Sequence, residues 1–188
     1  MLNLEQAIDP NTSSELLAEE LSKGKDDIVS RQAAYNSNCP PHALASVLRR
    51  EKDDGVSRWA ARNINCPSYV LAEILSRGNN DCVSQYADRN KNCTPEALAE
   101  RLSRGKDDYV SWSAARNPNC PPEALAEVLS KKRDDYVYQF AANNPTYLKY
   151  IEEQAKVIAR EKAKQKEEYK QLEIQYAKNI NPILILDI

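Results

Sequence analysis

The chain has 188 residues, of which 41% are hydrophobic and 29% are charged, a balance typical of a soluble protein that forms a core. A formal net charge of −2 and a pI near 5.6 argue against a protein that coats nucleic acid or an anionic membrane. No signal peptide or membrane-spanning apolar run is apparent, and the cysteine count is odd, so we expect a cytoplasmic protein with free thiols and no membrane partner.

A 27-residue period runs through most of the chain. Its clearest marker is a column of cysteines, with a threonine at the equivalent position one period earlier: Thr12, Cys39, Cys66, Cys93 and Cys120. Self-similarity of this length is typical of a repeat protein. We interpret residues 12–146 as five units, and residues 1–11 as a degenerate half-repeat that caps the N-terminal end.

The first half of each unit predicts a helix of about ten residues, which we call helix A. Leucines recur at the sixth position of every unit, at Leu17, Leu44, Leu71, Leu98 and Leu125. Prolines occupy its first turn, where a missing N–H costs nothing. Glutamates three residues after the opening Thr or Cys have the spacing of a capping box: Glu15, Glu96 and Glu123. Helix A is expected to end at glycines, namely Gly24, Gly78 and Gly105.

The second half of each unit predicts a shorter helix, which we call helix B. Aspartates mark its start, at Asp27, Asp54, Asp81, Asp108 and Asp135, and most follow another Asp. Valine and alanine then recur at fixed offsets, as expected for a buried face. Asparagines follow its end, at Asn36, Asn63, Asn90, Asn117 and Asn144. Asparagine tolerates left-handed backbone and bonds to nearby main chain, so it suits a tight turn. With eight or nine residues, helix B is compatible with either an α-helix or a partly 3₁₀ helix.

One pair of short helices cannot bury its apolar face, whereas stacked pairs share a core along the array. The units therefore predict an all-α solenoid of five two-helix repeats. Residues 117–129, NPNCPPEALAEVL, preceded by DDYVSWSAAR, resemble the leucine-rich repeat variant family, which is related in shape to HEAT and armadillo arrays. This resemblance covers residues 12–146. It implies a right-handed superhelix and a 3₁₀ helix B, although the longer period here favours an α-helix.

The cysteines, aspartates and single histidine raise the question of catalytic or metal chemistry. The resemblance carries over no iron–sulfur cluster, because no cysteine precedes Cys39. Equivalent cysteines in adjacent repeats are expected ~10 Å apart, too far for a disulfide or a shared zinc ion. We interpret the column as buried thiols, the Asp pairs as helix caps, and His42 as a surface residue. The sequence contains no catalytic constellation, so we expect a non-enzyme without cofactor or metal.

Arginines form a second column just before the turn asparagine, at Arg62, Arg89 and Arg116. Arg31 and Arg58 lie four positions earlier in their units. Two interpretations remain open: a basic ladder for an acidic peptide or phosphate backbone, or ion pairs with the Asp caps of neighbouring units. Aromatic residues near the last repeats add candidates for recognition: Tyr109, Trp112, Tyr136 and Tyr138. We predict a binding surface formed by Arg62, Arg89, Arg116, Tyr109, Trp112 and Tyr136.

The chain then changes character. Residues 147–178 contain neither Gly nor Pro and predict one long helix. Its apolar positions recur at spacings of three and four, interrupted at Lys162 and Gln165, and favour contact with the array, a partner or a second copy. Residues 179–188 form an apolar tail whose exposed strand-forming core, Ile183, Leu184, Ile185 and Leu186, needs cover from its own chain, a dimer mate or a client protein.

Together these features predict a non-catalytic protein-binding scaffold or adaptor of the helical-repeat type, with a protein partner of unknown identity and a homodimer through the C-terminal helix or tail as one option. The first alternative is a HEAT-like array that binds nucleic acid, which the acidic pI disfavours. The second alternative is a redox or metal-linked accessory protein.

Overall fold

The computed structural model describes residues 1–180, with side chains through Lys178. Within this range the chain forms twelve α-helices and no strand, and the predicted all-α repeat architecture is confirmed. Of the predicted apolar tail, residues 181–188, including Ile183, Leu184, Ile185 and Leu186, lie outside the described residues. Residues 1–148 form one compact unit, and a second begins at Lys149.

The five repeats alternate between the two predicted helices. Helix A is represented by α2 (Ser14–Ser22), α4 (Pro41–Leu48), α6 (Ser68–Ser76), α8 (Pro95–Ser103) and α10 (Pro122–Ser130). Helix B is represented by α3 (Ile28–Tyr35), α5 (Gly55–Arg62), α7 (Cys82–Arg89), α9 (Tyr109–Arg116) and α11 (Tyr136–Ala142). A short α1 (Leu4–Ile8) precedes them, and α12 (Pro145–Ile180) follows. Helix B is α-helical in every repeat, so the 3₁₀ form implied by the family resemblance is wrong for this chain.

The core of the first unit runs through the stack. Each helix B packs against helix A of its own repeat and against helix B of the next, and α1 packs on α3. The sixth-position leucines are completely buried, as are the helix B alanines Ala33, Ala60, Ala87, Ala114 and Ala141. Each repeat therefore covers the apolar face of its neighbours, and the short α1 covers part of the first repeat.

The start of helix A differs from the prediction. Its N-cap lies one residue after the Thr or Cys column, at Ser13, Pro40, Pro67, Thr94 and Pro121. The column itself is buried in the core, so its side chains do not cap. The predicted capping boxes with Glu15, Glu96 and Glu123 are therefore wrong, since these glutamates lie only two residues after the true N-cap.

The start of helix B follows the prediction. Each predicted aspartate is the N-cap, and its carboxylate accepts a hydrogen bond from the backbone N–H three residues later, for example Asp54 from Ser57 at 2.8 Å. The Asp that precedes the N-cap also bonds to the next repeat, as Asp26 shows. The Asp26 carboxylate accepts from the Val56 N–H of the next repeat at 3.1 Å, so it ties adjacent helices B together.

Helix A ends in left-handed backbone at one position of every repeat. Glycine supplies it three times, with φ of 66° at Gly24, 73° at Gly78 and 64° at Gly105, as predicted. Repeats 2 and 5 force Glu51 and Lys132 into the same conformation, with φ of 58° and 48°. A side chain with a Cβ is strained there by roughly 1–2 kcal/mol.

Lys132→Gly is therefore expected to raise the free energy of unfolding by about 1 kcal/mol, because glycine adopts this conformation without the Cβ clash. Urea denaturation measures the change. The matched control is Gly105→Ala, which introduces the same strain in the preceding repeat and should lower stability by a similar amount. A Lys132→Gly variant that is less stable than the parent would show that the backbone of Lys132 is not strained.

The turn asparagines hold neighbouring repeats together. Asn63, for example, begins the predicted tight turn, in which the Cys66 N–H donates to the Asn63 carbonyl at 3.0 Å. The backbone of Asn63 is extended, with φ −62° and ψ 138°, so the left-handed conformation that asparagine tolerates is not used. The Asn63 side-chain amide donates to the carbonyls of Ala34 at 2.7 Å and Asn36 at 2.9 Å, both in the preceding repeat. Its Oδ1 accepts from the N–H of Asn65. The same pattern recurs at the equivalent residues Asn36, Asn90, Asn117 and Asn144.

The second unit consists of α12 from Lys149 onward. Every side chain from Ile151 to Lys178 is exposed, including the apolar positions that predicted a contact stripe. Ion pairs between residues four apart, such as Lys156 with Glu152, support the helix locally.

Candidate functional site

The candidate site is the helix B surface, which we define as the exposed side chains of α3, α5, α7, α9 and α11 and of the turns that follow them. Two arginine columns on this surface have different environments. Arg31 pairs with Asp26 and Arg58 with Asp53, each at 2.9 Å. This column therefore forms ion pairs, but within its own repeat and with the Asp that precedes the N-cap, and not with the caps of neighbouring units. Hydrogen bonds from Arg31 lower the pKa of Asp26 to about 2.

The second column, Arg62, Arg89 and Arg116, is exposed and forms no ion pair with any residue in the described range. Arg62 lies over the Trp59 ring at 5.3 Å, and Arg116 lies over the Phe140 ring of the next repeat at 5.0 Å. Arg89 donates to the Ser113 hydroxyl at 3.2 Å. These contacts orient the guanidinium groups without neutralising them, so the column remains available to an acidic ligand.

Arg62 and Arg89 line a cleft of about 570 Å³ together with Ile64, Tyr86, Asn90 and Lys91. A second cleft of about 450 Å³ adjoins it, because Arg62 and Ile64 line both. The second cleft is more apolar, and its further walls include Ile8, Pro10 and Tyr35. We call the two clefts together the helix B groove. It joins an apolar end near the first repeat to a cationic part at repeats 2 and 3.

Three of the four predicted aromatic residues, all but Tyr138, come together on the last two repeats. The Trp112 ring lies 4.5 Å from Tyr109 and 4.7 Å from Tyr136, centroid to centroid, and Phe140 is within 6.4 Å. The indole N–H of Trp112 donates to Asp107, which fixes the ring orientation. We call Tyr109, Trp112, Tyr136 and Phe140 the aromatic cluster. Since Arg116 lies over Phe140, the cluster adjoins the third member of the arginine column.

Several surface residues were not predicted. Tyr35, Ile64 and Lys91 lie at equivalent or neighbouring positions of the units where the residue type changes from repeat to repeat, so the search for columns passed over them. Tyr35 occupies the position of the arginine column in repeat 1 and packs against the Trp59 ring at 4.8 Å. Variation along a column at an exposed position was the signal that could have identified the apolar end of the groove.

An acidic area flanks the groove. Asp26, Asp53 and Asp54 line a third cleft of about 440 Å³ near Arg31 and Arg58. The helix B surface is therefore divided, with carboxylates toward the helix N-termini and unpaired cations toward the C-termini. An extended anion would meet favourable charge only along the margin where helices B end.

The cysteine column lies in the core. Burial raises the pKa of Cys39, Cys66, Cys93 and Cys120 to about 12, so these thiols are protonated and poorly reactive at neutral pH. Cys82 is partly exposed on α7. No group of three or more His, Cys, Asp or Glu side chains in the described residues could hold a metal ion. His42 is exposed on helix A.

A buried charged group lies between repeats 3 and 4. Arg101 on α8 is completely buried, and its Nη2 contacts both Asp108 oxygens at 2.6 and 2.7 Å. Asp88 on α7 is also buried, and both of its carboxylate oxygens have no hydrogen-bond partner among the described residues. Burial raises the pKa of Asp88 to about 8, and the charge of Arg101 opposes this shift. At the position of Asp88 the other four repeats have alanine. At the position of Arg101 three of them have valine or isoleucine.

Comparisons with protein-family models, with curated proteins and with solved structures found no match. Across residues 1–180, no helix has the length and apolar character that crossing a bilayer requires.

Proposed function

We propose that this chain is a non-catalytic protein-binding scaffold or adaptor, a cytoplasmic relative of leucine-rich repeat variant proteins, and that its helix B surface is the interface. The observation that carries the proposal is the unpaired arginine column beside an exposed aromatic cluster. Tyrosine, tryptophan and arginine dominate the binding energy of protein interfaces, because they bury large areas and retain a polar group.

The second candidate function is nucleic-acid binding, which the cations of the helix B groove favour. Phosphate backbones require a continuous cationic path, since affinity grows with each phosphate that is neutralised. Here the carboxylates of Asp26, Asp53 and Asp54 adjoin the groove, and the net charge is −2. This charge distribution favours a ligand of limited length and mixed character, such as a protein segment.

Affinity capture from the native cell tests the proposal with a pair of matched variants. Tyr136→Ser and Tyr69→Ser remove rings of nearly equal exposure, 54% and 53%, from helix B and helix A. We expect Tyr136→Ser to reduce capture of the bound proteins about tenfold, corresponding to ~1.4 kcal/mol, and Tyr69→Ser to leave it unchanged. Arg89→Glu should also reduce capture. Equal capture by all three variants and the parent would reject the helix B surface as the interface.

A further inference from the structure

We infer that the helix B groove binds an extended acidic segment of a partner protein in polyproline II conformation, with acidic side chains at every third position. This inference rests on the proposed function and specifies its ligand. The reasons are the charge of the groove, the spacing of its cations and the apolar character of one end.

Charge determines the class of ligand. Arg62, Arg89 and Lys91 line the cationic cleft, and no acidic side chain is among its lining residues in the described chain. None of the three cations forms an ion pair with a described residue, whereas Arg31 and Arg58 on the same surface are paired. Arginine binds carboxylates through two parallel hydrogen bonds, so carboxylate side chains are the complementary groups.

The repeat spacing determines the conformation of the ligand. Arg62, Arg89 and Arg116 occupy equivalent positions on packed neighbouring helices, and such helices lie ~8–10 Å apart. Arg62 and Arg89 line the groove, and Arg116 continues the column in the next repeat, beyond the groove lining. A polyproline II segment has three residues per turn and rises ~3.1 Å per residue, so every third side chain returns to the same face after ~9 Å. A β-strand would place every third side chain on the opposite face. The spacing therefore matches acidic residues at positions i, i+3 and i+6 of a polyproline II segment.

The apolar end of the groove determines which side chain adjoins the acidic residues of the ligand. Ile8, Tyr35 and Ile64 are exposed by 58%, 49% and 52%, and the cleft that they line shares Arg62 with the cationic part. A ligand that spans both parts needs an apolar side chain next to its acidic series. The expected segment thus combines one large apolar residue with three acidic residues spaced by pairs of small residues or prolines.

Fluorescence anisotropy with two synthetic peptides of identical composition tests this inference. Both contain one leucine, three glutamates and proline–serine spacers. In the first the glutamates stand at every third position, and in the second they are contiguous. We expect the spaced peptide to bind at least fivefold more tightly than the contiguous one. Arg62→Glu with Arg89→Glu should weaken its binding by at least a hundredfold.

The control variant is Arg49→Glu with Arg77→Glu, which makes the same charge change at the ends of helices A and should alter binding by less than threefold. Equal affinity for the two peptides, or equal loss in both double variants, would overturn the inference, as would tighter binding of a single-stranded oligonucleotide. Absence of peptide binding while cellular capture still depends on Tyr136 would overturn the acidic-ligand inference and leave the proposed function standing. Circular dichroism confirms that each variant is folded.

Discussion

Asn90→Ala is expected to lower the free energy of unfolding by about 3–5 kcal/mol, a large effect for the loss of one short side chain. The Asn90 amide donates to the carbonyls of Ala61 and Asn63 at 2.8 and 2.9 Å, and its Oδ1 accepts from Asn92 at 2.9 Å. Each of the two buried carbonyls left without this donor costs about 1–2 kcal/mol, and the lost hydrogen bond from the Asn92 N–H costs about 1 kcal/mol. The loss falls on the contact between two repeats, so it weakens the stack as a whole.

Urea denaturation followed by circular dichroism measures this effect. Asn79→Ala is the matched control, because Asn79 is exposed in a loop and forms no hydrogen bond within the described residues. It should change stability by less than about 0.5 kcal/mol. A similar small change at Asn90 would mean that the inter-repeat hydrogen bonds do not stabilise the fold.

Arg101→Val is the second change with a large expected effect. It removes the only cation that contacts Asp108 within the described residues. It also removes the stronger of the two cations, Arg101 and Arg89, that oppose the raised pKa of Asp88. Breaking a buried charged pair by removing one partner typically costs about 3–5 kcal/mol, because the remaining charge is left in a poorly solvated site. We expect a loss of this size for Arg101→Val at pH 8.

Restoring the residues of the other repeats should reverse the loss. Ala115 and Val128 occupy the equivalent positions one repeat later and are both buried. The double variant Asp88→Ala with Arg101→Val should therefore match or exceed the parent, with a gain of up to about 4 kcal/mol. A double variant no better than Arg101→Val alone would show that the charges are not coupled.

Asp88 also predicts a pH dependence. Its folded pKa of about 8 exceeds the usual carboxyl value of about 4. Between about pH 4 and pH 8 the Asp88 carboxyl group is therefore protonated in the folded state and ionised in the unfolded state. The free energy of unfolding contributed by this group therefore falls as the pH rises through that window. Denaturation at pH 5 and pH 8 should show this decrease in the parent and not in Asp88→Ala.

The repeat architecture was predictable because residues that recur every 27 positions occupy equivalent places in successive helix pairs. Leucine, valine and alanine recur at helical spacing, and the structure buries them. The bond of each turn asparagine to its own turn was predictable. Its bonds to the preceding repeat were not, because the sequence pattern is the same whether or not the side-chain amide reaches a neighbouring repeat. The Asp88–Arg101 group was missed because Asp and Arg each occur only once in these two columns.

The candidate site was predictable only in part. The arginine column and Tyr109, Trp112 and Tyr136 were identified from their columns and lie on one surface. Whether an arginine pairs with an aspartate depends on geometry that the period does not encode: Arg58 faces Asp53, whereas Arg62, one turn later, faces Trp59. The apolar end of the groove combines Ile8 and Pro10 with side chains of repeats 1 and 2, which only the folded chain brings together.

Site-specific photo-cross-linking in the native cell tests the central claim, that helix B and not helix A forms the interface, most directly. A photoreactive phenylalanine analogue replaces Tyr109 on helix B or Tyr69 on helix A, which are exposed by 58% and 53%. The account predicts discrete protein adducts from position 109, weakened by Arg89→Glu, and none from position 69. Adducts of equal yield from both positions, or from position 69 alone, would contradict it.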